Sequence, residues 1–286
     1  MTSRNIDPKT VAGFGEEWST FDQSTLSPSE QESIFLQYFA IFPWDQIPIK
    51  AVGFDLGCGS GRWARLVARR VGNLHCIDVS SAALDVARRN LAGEARCVFH
   101  EASVDAIPLP DSSMDFGYSL GVLHHIPDPA AGITSCAAKL KTNAPFLVYL
   151  YYAFDNRPWW FRQIWRMTDI LRKFVCRLPK RARVGVTTAI AGIVYYPTAR
   201  TLLLLEKLGM KVDPLPLAAY RQLSFYTMRT DALDRFGTRL EFRFTKNQIR
   251  TMMEAAGLER ITFSSGPPYW CAVGYKSSPP PENLKS

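Results

Sequence analysis

The chain has 286 residues, enough for one enlarged domain or two small ones. Its apolar share of 47% is ordinary for a globular protein with a sizeable core, and excludes the low-hydrophobicity class of disordered chains. The first residues, Met1 to Lys9, are polar and lack the basic-then-apolar pattern of a secretion signal, so we expect a cytoplasmic protein.

The net charge of +8 comes from one segment. Residues 153–243 hold 17 Lys or Arg and 7 Asp or Glu, whereas the rest of the chain holds 17 and 19. Nucleic acid is one partner for so basic a segment. Because no nucleic-acid module or RNA-stacking motif accompanies it, we expect no nucleic-acid partner.

Cysteine spacing gives no metal or disulfide framework. The six cysteines show no C-x-x-C pair, and several fall in predicted strands or helices. We therefore predict buried thiols, with neither disulfides nor a zinc site. These residues are Cys58, Cys76, Cys97, Cys136, Cys176 and Cys271.

Before the first predicted strand come a loose start and an aromatic helix. Residues 1–12 are predicted to be disordered or loosely attached. A helix is predicted from Ser27, with Ser27 as N-cap, Pro28 at the first helical position and Glu30 completing a capping box. Its aromatic stripe is predicted to pack in the core, with a substrate wall as the alternative. The stripe consists of Ile34, Phe35, Tyr38, Phe39 and Phe42.

A glycine-rich turn follows the first predicted strand. An apolar run ends at Asp55, and Gly57, Gly59 and Gly61 come before a helical pattern over residues 62–71. Glycines at such a turn let a ligand approach backbone N–H groups closely. A second strand ends at Asp78, where an acid can accept both hydroxyls of a ribose. A nicotinamide fold is the alternative, although the pattern here is G-x-G-x-G and not G-x-G-x-x-G.

Two further motifs follow in order, Ser103-Val-Asp-Ala-Ile-Pro-Leu-Pro110 and Ser119-Leu-Gly-Val-Leu-His-His-Ile-Pro-Asp128. With the glycine turn and Asp78, they make the chain similar to the class I S-adenosylmethionine-dependent methyltransferases of the small-molecule type. The resemblance covers about residues 50–152 and resumes near residue 243. It implies an α/β fold with a Rossmann-like, seven-stranded, mostly parallel sheet in the order 3-2-1-4-5-7-6, strand 7 being antiparallel.

The resemblance also implies S-adenosyl-L-methionine as cofactor and a set of residues that bind it. Asp105 and the backbone N–H of Ala106 match positions that read the adenine, and Gly121 lets the chain pass close to the methionyl part. The implied cofactor-binding residues are Asp55, Gly57, Cys58, Gly59, Gly61, Asp78, Val79, Val104, Asp105, Ala106, Leu120 and Gly121.

Two candidates for catalysis follow the fourth strand. His124 or His125 could take a proton from a hydroxyl before methyl transfer, since histidine titrates near neutral pH. The alternative is that the pair only shapes the pocket, because His-His-Ile is common in this family. Residues 13–22, with Phe14, Trp18 and Phe21, resemble an opening segment that helps to close the cofactor site in a subset of the family. Covering a sheet edge is the alternative role.

Residues 153–243 are predicted to form a mainly helical, basic and aromatic insertion. A helix is predicted over Pro158 to Leu178 with a basic polar face. The apolar run from Val184 to Ala199 is shorter than the ~20 residues that span a bilayer, and we expect glycine and proline to interrupt it. We favour a helical cap over an apolar substrate pocket, because ligands bind at the carboxyl ends of the strands. A surface that rests on anionic lipid is the alternative.

The pattern that resembles the methyltransferases resumes near residue 243 and is followed by the predicted tail. Thr245 and Gln248 predict a capping box, and the resemblance implies an antiparallel hairpin of the last two strands. Asn143 is expected to take a left-handed turn where relatives have glycine. The predicted divisions are 1–45 as N-terminal lid segment and helix, 46–152 as cofactor-binding half, 153–243 as cap, 244–276 as C-terminal part and 277–286 as flexible tail.

The predicted function is methyl transfer from S-adenosyl-L-methionine to a small, apolar or aromatic metabolite. Oxygen is the preferred acceptor atom, with nitrogen and carbon open. Two other hypotheses are a non-catalytic binding module that keeps the cofactor fold and a membrane-associated enzyme with a lipid-like substrate. A nicotinamide oxidoreductase is the third, and the oligomeric state is left open.

Overall fold

The computed structural model describes residues 5–23 and 25–278. Seven strands form one sheet in the order β3-β2-β1-β4-β5-β7-β6, in which β7 is antiparallel to both of its neighbours. This confirms the sheet order that the resemblance implies. The strands are β1 Val52–Leu56, β2 Asn73–Asp78, β3 Cys97–Glu101, β4 Phe116–Leu120, β5 Pro145–Tyr149, β6 Leu258–Phe263 and β7 Cys271–Lys276.

Reciprocal glycine and phenylalanine pairs hold the centre of the sheet together. Gly53 on β1 lies opposite Phe116 on β4, and Phe54 lies opposite Gly117. A Cβ atom at either glycine would come within 2.3 Å of the facing ring. Both rings are fully buried. The glycines therefore let two large rings pack across neighbouring strands.

Helices cover both faces of this sheet. The α-helices outside residues 153–243 are α1 Pro8–Thr20, α2 Pro28–Tyr38, α3 Ala64–Val67, α4 Ser81–Asn90, α5 Pro129–Lys139 and α10 Lys246–Ala255. One core cluster joins α5 and α10 to the sheet, through residues such as Ile133 and Met253. The other joins α2, α3 and α4, through residues such as Phe35 and Leu84.

Regular structure begins closer to the N-terminus than the sequence analysis predicted. Helix α1 begins at Pro8, and the Asp7 carboxylate caps it by accepting from the backbone N–H of Thr10 at 2.7 Å. Before it, the Asn5 side chain exchanges hydrogen bonds with the backbone of Asp128. The prediction of a loose segment over residues 1–12 is therefore wrong for residues 5–12, and residues 1–4 lie outside the described range.

Helix α2 has the predicted N-cap without the predicted capping box. Ser27 Oγ accepts from the backbone N–H of Glu30 at 3.2 Å. The Glu30 carboxylate instead accepts from Ser224 N at 2.9 Å and Thr227 Oγ1 at 2.7 Å. The capping-box prediction is wrong because this carboxylate joins α2 to the insertion. The other predicted box, Thr245 with Gln248, is confirmed at the start of α10.

The insertion consists of four helices, α6 Trp159–Val175, α7 Lys180–Ile190, α8 Tyr196–Lys207 and α9 Phe225–Gly237. A π-helical segment, Ala191–Tyr195, joins α7 to α8. Its residues pack with α6 and α9 in a separate small core that includes Val175, Met228 and Phe236. The insertion therefore has a core of its own.

The expected interruption of the apolar run at glycine and proline is wrong. Lys180–Lys207 is one continuous helix of 28 residues, which by length and composition could cross a membrane. Tyr196 N donates to Ala191 O, five residues back, so the helix widens just before Pro197. A wider turn accommodates the proline ring and its missing N–H, which would otherwise break the helix.

The C-terminal hairpin and its neighbouring turn follow the predictions. β6 and β7 pair antiparallel, with a register shift between Glu259 and Thr262. Asn143 has a φ of 65°, as expected for a residue that replaces a turn glycine. Most of the predicted tail, residues 279–286, lies outside the described residues.

Candidate functional site

The glycine turn after β1 can hold no side chain at its key positions. Gly57, Gly59 and Gly61 have φ values of 77°, 53° and 76°, which favour glycine. A Cβ atom at Gly57 would lie 2.3 Å from the Val122 side chain, and one at Gly59 would lie 2.9 Å from the Trp18 ring. This turn therefore offers backbone to a ligand, as the dinucleotide-type fold requires.

Asp78 at the end of β2 organises the same turn. Its Oδ2 accepts from Gly59 N and its Oδ1 accepts from Ser80 N, both at 2.9 Å. Each oxygen has a second lone pair that can accept another hydrogen bond. The carboxylate is thus fixed in place and still able to accept the hydroxyls of a ribose.

A cavity of about 1310 Å³ begins at this turn and runs under the insertion. Small-molecule pockets usually measure ~300–1,000 Å³, so there is room for a cofactor and a second molecule. Nine of the predicted site residues line it. They are Gly57, Cys58, Gly59, Asp78, Val79, Val104, Leu120, Gly121 and His125.

Five predicted site residues lie outside the cavity lining. Asp55 is 1% exposed, and burial raises its pKa to about 8. Gly61 faces the Leu91 side chain beneath the turn. Asp105 accepts from Asn5 N at 3.4 Å and also from Ser103 Oγ, so its carboxylate contacts the N-terminal segment. Ala106 and His124 also lie outside the lining.

The two histidines occupy different environments. His124 is fully buried and stacks on Tyr151 with ring centroids 3.8 Å apart. Neither of its ring nitrogens has a hydrogen-bond partner among the described residues. Burial holds its pKa well below the ordinary value, so His124 is a neutral packing residue.

His125 faces the cavity in a defined tautomer. Its Nδ1 lies 2.7 Å from the Leu240 carbonyl, which can only accept, so Nδ1 carries the proton. Its Nε2 has no hydrogen-bond partner in the described part of the chain and lies 3.9 Å from Asp234 Oδ1. Burial lowers the pKa of His125, and the Asp234 carboxylate acts in the opposite direction. The ring is therefore neutral near pH 7, with a lone pair toward the cavity.

Asp234 of α9 is a site residue that the sequence analysis missed. Tyr151 Oη donates to its Oδ2, while its Oδ1 is buried without a hydrogen-bond partner among the described residues. Glu17 and Asp231 also line the cavity. Burial and neighbouring carboxylates raise the pKa of Glu17 well above its ordinary value. One available signal was the pair of acids at positions 231 and 234, one helical turn apart in a segment that is otherwise basic.

The N-terminal segment closes one side of the site. Phe14 and Trp18 of α1 line the cavity, and Phe14 lies 4.9 Å from the His125 ring. The aromatic stripe of α2 divides in two, because Ile34 and Tyr38 line the cavity whereas Phe35, Phe39 and Phe42 are core. These positions fit the role in closing the cofactor site that the resemblance implied for Phe14 and Trp18.

Comparison with known families defines the class. Residues 54–148 match the family model for the methyltransferase domain. With the sheet order, this match identifies a class I S-adenosylmethionine-dependent methyltransferase domain, whose cofactor is S-adenosyl-L-methionine. The glycine turn, which a Cβ would obstruct, and the fixed Asp78 carboxylate fit this cofactor.

Individual relatives are similar over parts of their length. A ubiquinone biosynthesis O-methyltransferase from Alkalilimnicola ehrlichii is 37% identical over 30% of this chain and 36% of the relative. One from Paracidovorax citrulli is 33% identical over 54% of this chain and 65% of the relative. The matched part thus spans between about one third and two thirds of these relatives.

One solved structure shares the fold over most of the chain. It is a chain of the complex between the Haloferax volcanii Trm112 methyltransferase activator and a methyltransferase. It is 13% identical with a TM-score of 0.50, covering 92% of this chain and 98% of that one. At this identity the likeness concerns the fold alone.

Proposed function

We propose that the protein transfers a methyl group from S-adenosyl-L-methionine to a hydroxyl of a small apolar or aromatic acceptor. The observation that carries the proposal is the position of His125 Nε2. It is a buried, neutral proton acceptor, without a hydrogen-bond partner among the described residues, in the cavity that starts at the glycine turn. A general base in this place suits a hydroxyl acceptor, which must lose its proton.

The residues around the cofactor site have separable roles in this proposal. The glycine turn binds through backbone, and Asp78 accepts ribose hydroxyls. Val104 and Leu120 line the site with apolar surface. When bound, the cofactor supplies a methyl group already activated by its sulfonium sulfur. The protein therefore contributes mainly orientation, water exclusion and proton removal.

His125 and Asp234 act on the acceptor. The hydroxyl donates to His125 Nε2, which takes its proton. Leu240 O holds Nδ1–H and so keeps the ring in the basic tautomer. Asp234 Oδ1, 3.9 Å away, stabilises the imidazolium that results and accepts a second donor of the acceptor. Two adjacent acceptor atoms suit an acceptor molecule with two neighbouring N–H or O–H groups.

The walls of the cavity favour an aromatic or apolar acceptor. Rings from the sheet, the N-terminal helix and the insertion all face it. They include Phe14, Tyr149, Tyr151, Phe161, Trp165 and Tyr195. The name that the relatives share, O-methyltransferase, supports oxygen as the acceptor atom.

An amine is the second candidate acceptor, because three carboxylates line the same cavity. Burial, together with the Asp234 and Asp231 carboxylates, raises the pKa of Glu17, and burial raises the pKa of Asp231 to about 6. Such a group of acids favours an acceptor rich in hydrogen-bond donors, such as an amine, although Arg62, Arg235 and Arg243 in the same lining reduce the net negative charge. The atom that carries the methyl group in the product distinguishes the two.

The test incubates the protein with methyl-labelled cofactor and a panel of phenols, catechols and aromatic amines. We expect label on oxygen with at least one hydroxylated compound, and a loss of 10²–10⁴-fold in rate for His125→Gln. Label on nitrogen alone would favour the amine. Cofactor binding with no transfer to any member of a broad panel would support a non-catalytic module instead.

A further inference from the structure

We propose that the outer face of helices α6 and α7–α8 docks on an anionic lipid surface, with the cavity mouth turned toward the lipid. Of the 19 large apolar side chains that are exposed in the described part of the chain, 14 lie between Trp159 and Leu215. Soluble proteins rarely expose apolar side chains so densely unless they bind a partner there. The docking is independent of which acceptor atom is methylated.

On α6 the exposed apolar side chains follow one stripe. Met167 is 71% exposed, Phe174 is 65% exposed, and Trp159 and Ile170 share their side of the helix. Exposed bases border that stripe at Arg162, Arg166, Lys173 and Arg177. An apolar stripe with a basic edge is the pattern of helices that lie in the membrane interface.

The continuous helix Lys180–Lys207 and the turn after it repeat this pattern. Ile193 is 76% exposed and Leu208 is 75% exposed, with Leu204 and Met210 also outside. Only 22% of its most apolar stretch is buried. Its inner face, at Ala191, Tyr195 and Ala199, belongs to the small core with α9. Because that core holds the helix along the domain, its outer face can rest on a membrane without crossing it.

The charges around the exposed apolar side chains indicate which kind of partner this surface would bind. Between Trp159 and Leu215 the chain has eleven Lys or Arg and three acids, Asp169, Glu206 and Asp213. Each of these acids is paired with an arginine, Asp169 with Arg172 and both Glu206 and Asp213 with Arg221. The apolar surface is thus surrounded by positive charge. Anionic lipid headgroups above an acyl interior complement both features.

The same helices frame the cavity mouth. Ile164 and Leu171 of α6 and Val194 of the π segment are at once exposed and part of the cavity lining. Side chains that are both exposed and cavity-lining lie at the opening. An apolar acceptor dissolved in the lipid could therefore enter the cavity without crossing water.

The first test is co-sedimentation with vesicles. We expect the protein to bind vesicles of equal parts phosphatidylcholine and phosphatidylglycerol at low salt, and to bind much less to phosphatidylcholine alone or at high salt. Folded protein that stays in solution with the anionic vesicles at low salt overturns the proposal.

Matched variants locate the surface. Met167→Ser with Phe174→Ser should weaken vesicle binding by about tenfold or more, whereas Leu36→Ser with Ile49→Ser, equally exposed elsewhere, should not. Arg177→Glu with Lys180→Glu should weaken it about 25-fold or more, because each base contributes about fivefold, and Lys50→Glu with Arg89→Glu serves as its control. Equal binding by all four variants overturns the proposal.

Two further measurements distinguish lipid docking from a damaged cofactor site and from self-association of the chain. Binding of S-adenosylhomocysteine by calorimetry should be unchanged in every variant, so that a lost cofactor site cannot be mistaken for lost docking. Sedimentation velocity should show the same oligomeric state for wild type and Met167→Ser with Phe174→Ser. A wild-type oligomer that this variant disrupts would assign the surface to a second copy of the chain, and would overturn the lipid proposal.

Discussion

At the scale of residues, the proposed site depends on two buried polar atoms that can each accept a hydrogen bond from a bound molecule. His125 Nε2 and Asp234 Oδ1 are polar atoms in a mostly apolar cavity, with no hydrogen-bond partners among the described residues. Leaving buried polar atoms unpaired is costly, typically ~1–3 kcal/mol for each group. A bound acceptor that donates to them would remove that cost, so the same feature that reduces stability favours binding of the acceptor.

The first prediction concerns the pH dependence of methyl transfer. Burial puts the pKa of His125 below 6.5, so kcat/KM should stay level near neutral pH and fall as the pH drops through the lowered pKa. The Asp234 carboxylate raises that pKa, so Asp234→Asn should move the acid limb to lower pH while reducing the rate. The measurement is kcat/KM against pH, with His100→Gln as a control at a histidine that does not line the cavity. An acid limb that moves to higher pH would contradict the assigned pair.

The second prediction concerns the glycine turn. Gly57→Ala places a Cβ 2.3 Å from Val122 in a left-handed conformation, so it should weaken S-adenosylhomocysteine binding by at least about tenfold. Gly13→Ala is the control, because nothing lies within 4 Å of its Cβ position in α1. It should bind normally and be more stable by ~0.5–1 kcal/mol. Normal binding by Gly57→Ala would show that the turn is not the cofactor cradle.

At the scale of elements, the sequence predicted the sheet well because its strands carry local patterns and a recognisable order of motifs. The sequence analysis did not predict helix α1, although Asp7-Pro8 has the same arrangement of N-cap and proline as Ser27-Pro28. The sequence analysis missed the continuous helix over Pro197 because proline usually breaks a helix, and the π turn that accommodates it here has no sequence pattern of its own. Glu30 was misassigned for a similar reason, since its partners Ser224 and Thr227 are remote in sequence.

Contacts between residues far apart in the sequence also explain which site residues the sequence analysis found and which it missed. Gly57, Gly59 and Asp78 sit in local motifs, and the resemblance located them. Asp234 reaches His125 only when the insertion folds over the carboxyl ends of the strands. No spacing pattern in the sequence indicates that the two side chains are close. Asp234 could therefore be identified as the partner of His125 only from the structure.

The third prediction concerns helix α1. Asp7→Ala removes the carboxylate that accepts from Thr10 N, which should cost about 1 kcal/mol of the free energy of unfolding. Because Trp18 of the same helix contacts the glycine turn, cofactor affinity should fall as well. Thermal unfolding and calorimetry measure the two effects. Thr20→Ala, at the exposed end of α1, should change neither by much, and equal losses in both variants would contradict this role for the cap.

At the scale of the whole molecule, the insertion lies over the end of the sheet that carries the glycine turn, and we propose that the methyl donor and the acceptor bind between them. The cavity runs from the glycine turn past His125 to the rings of α6, and Glu30 and Tyr226 fasten the insertion to the N-terminal region. The basic excess of the sequence lies in this insertion, and part of it, at Arg157, Arg235 and Arg243, lines the cavity beside the acids.

The most direct test of the central claim is calorimetry with S-adenosylhomocysteine and, separately, NAD on wild-type protein and Gly57→Ala. The structure predicts one S-adenosylhomocysteine bound per wild-type chain, markedly weaker binding by Gly57→Ala, and no comparable binding of NAD. Tighter binding of NAD, or no binding of S-adenosylhomocysteine by well-folded protein, would contradict a methyl-donor site at the glycine turn.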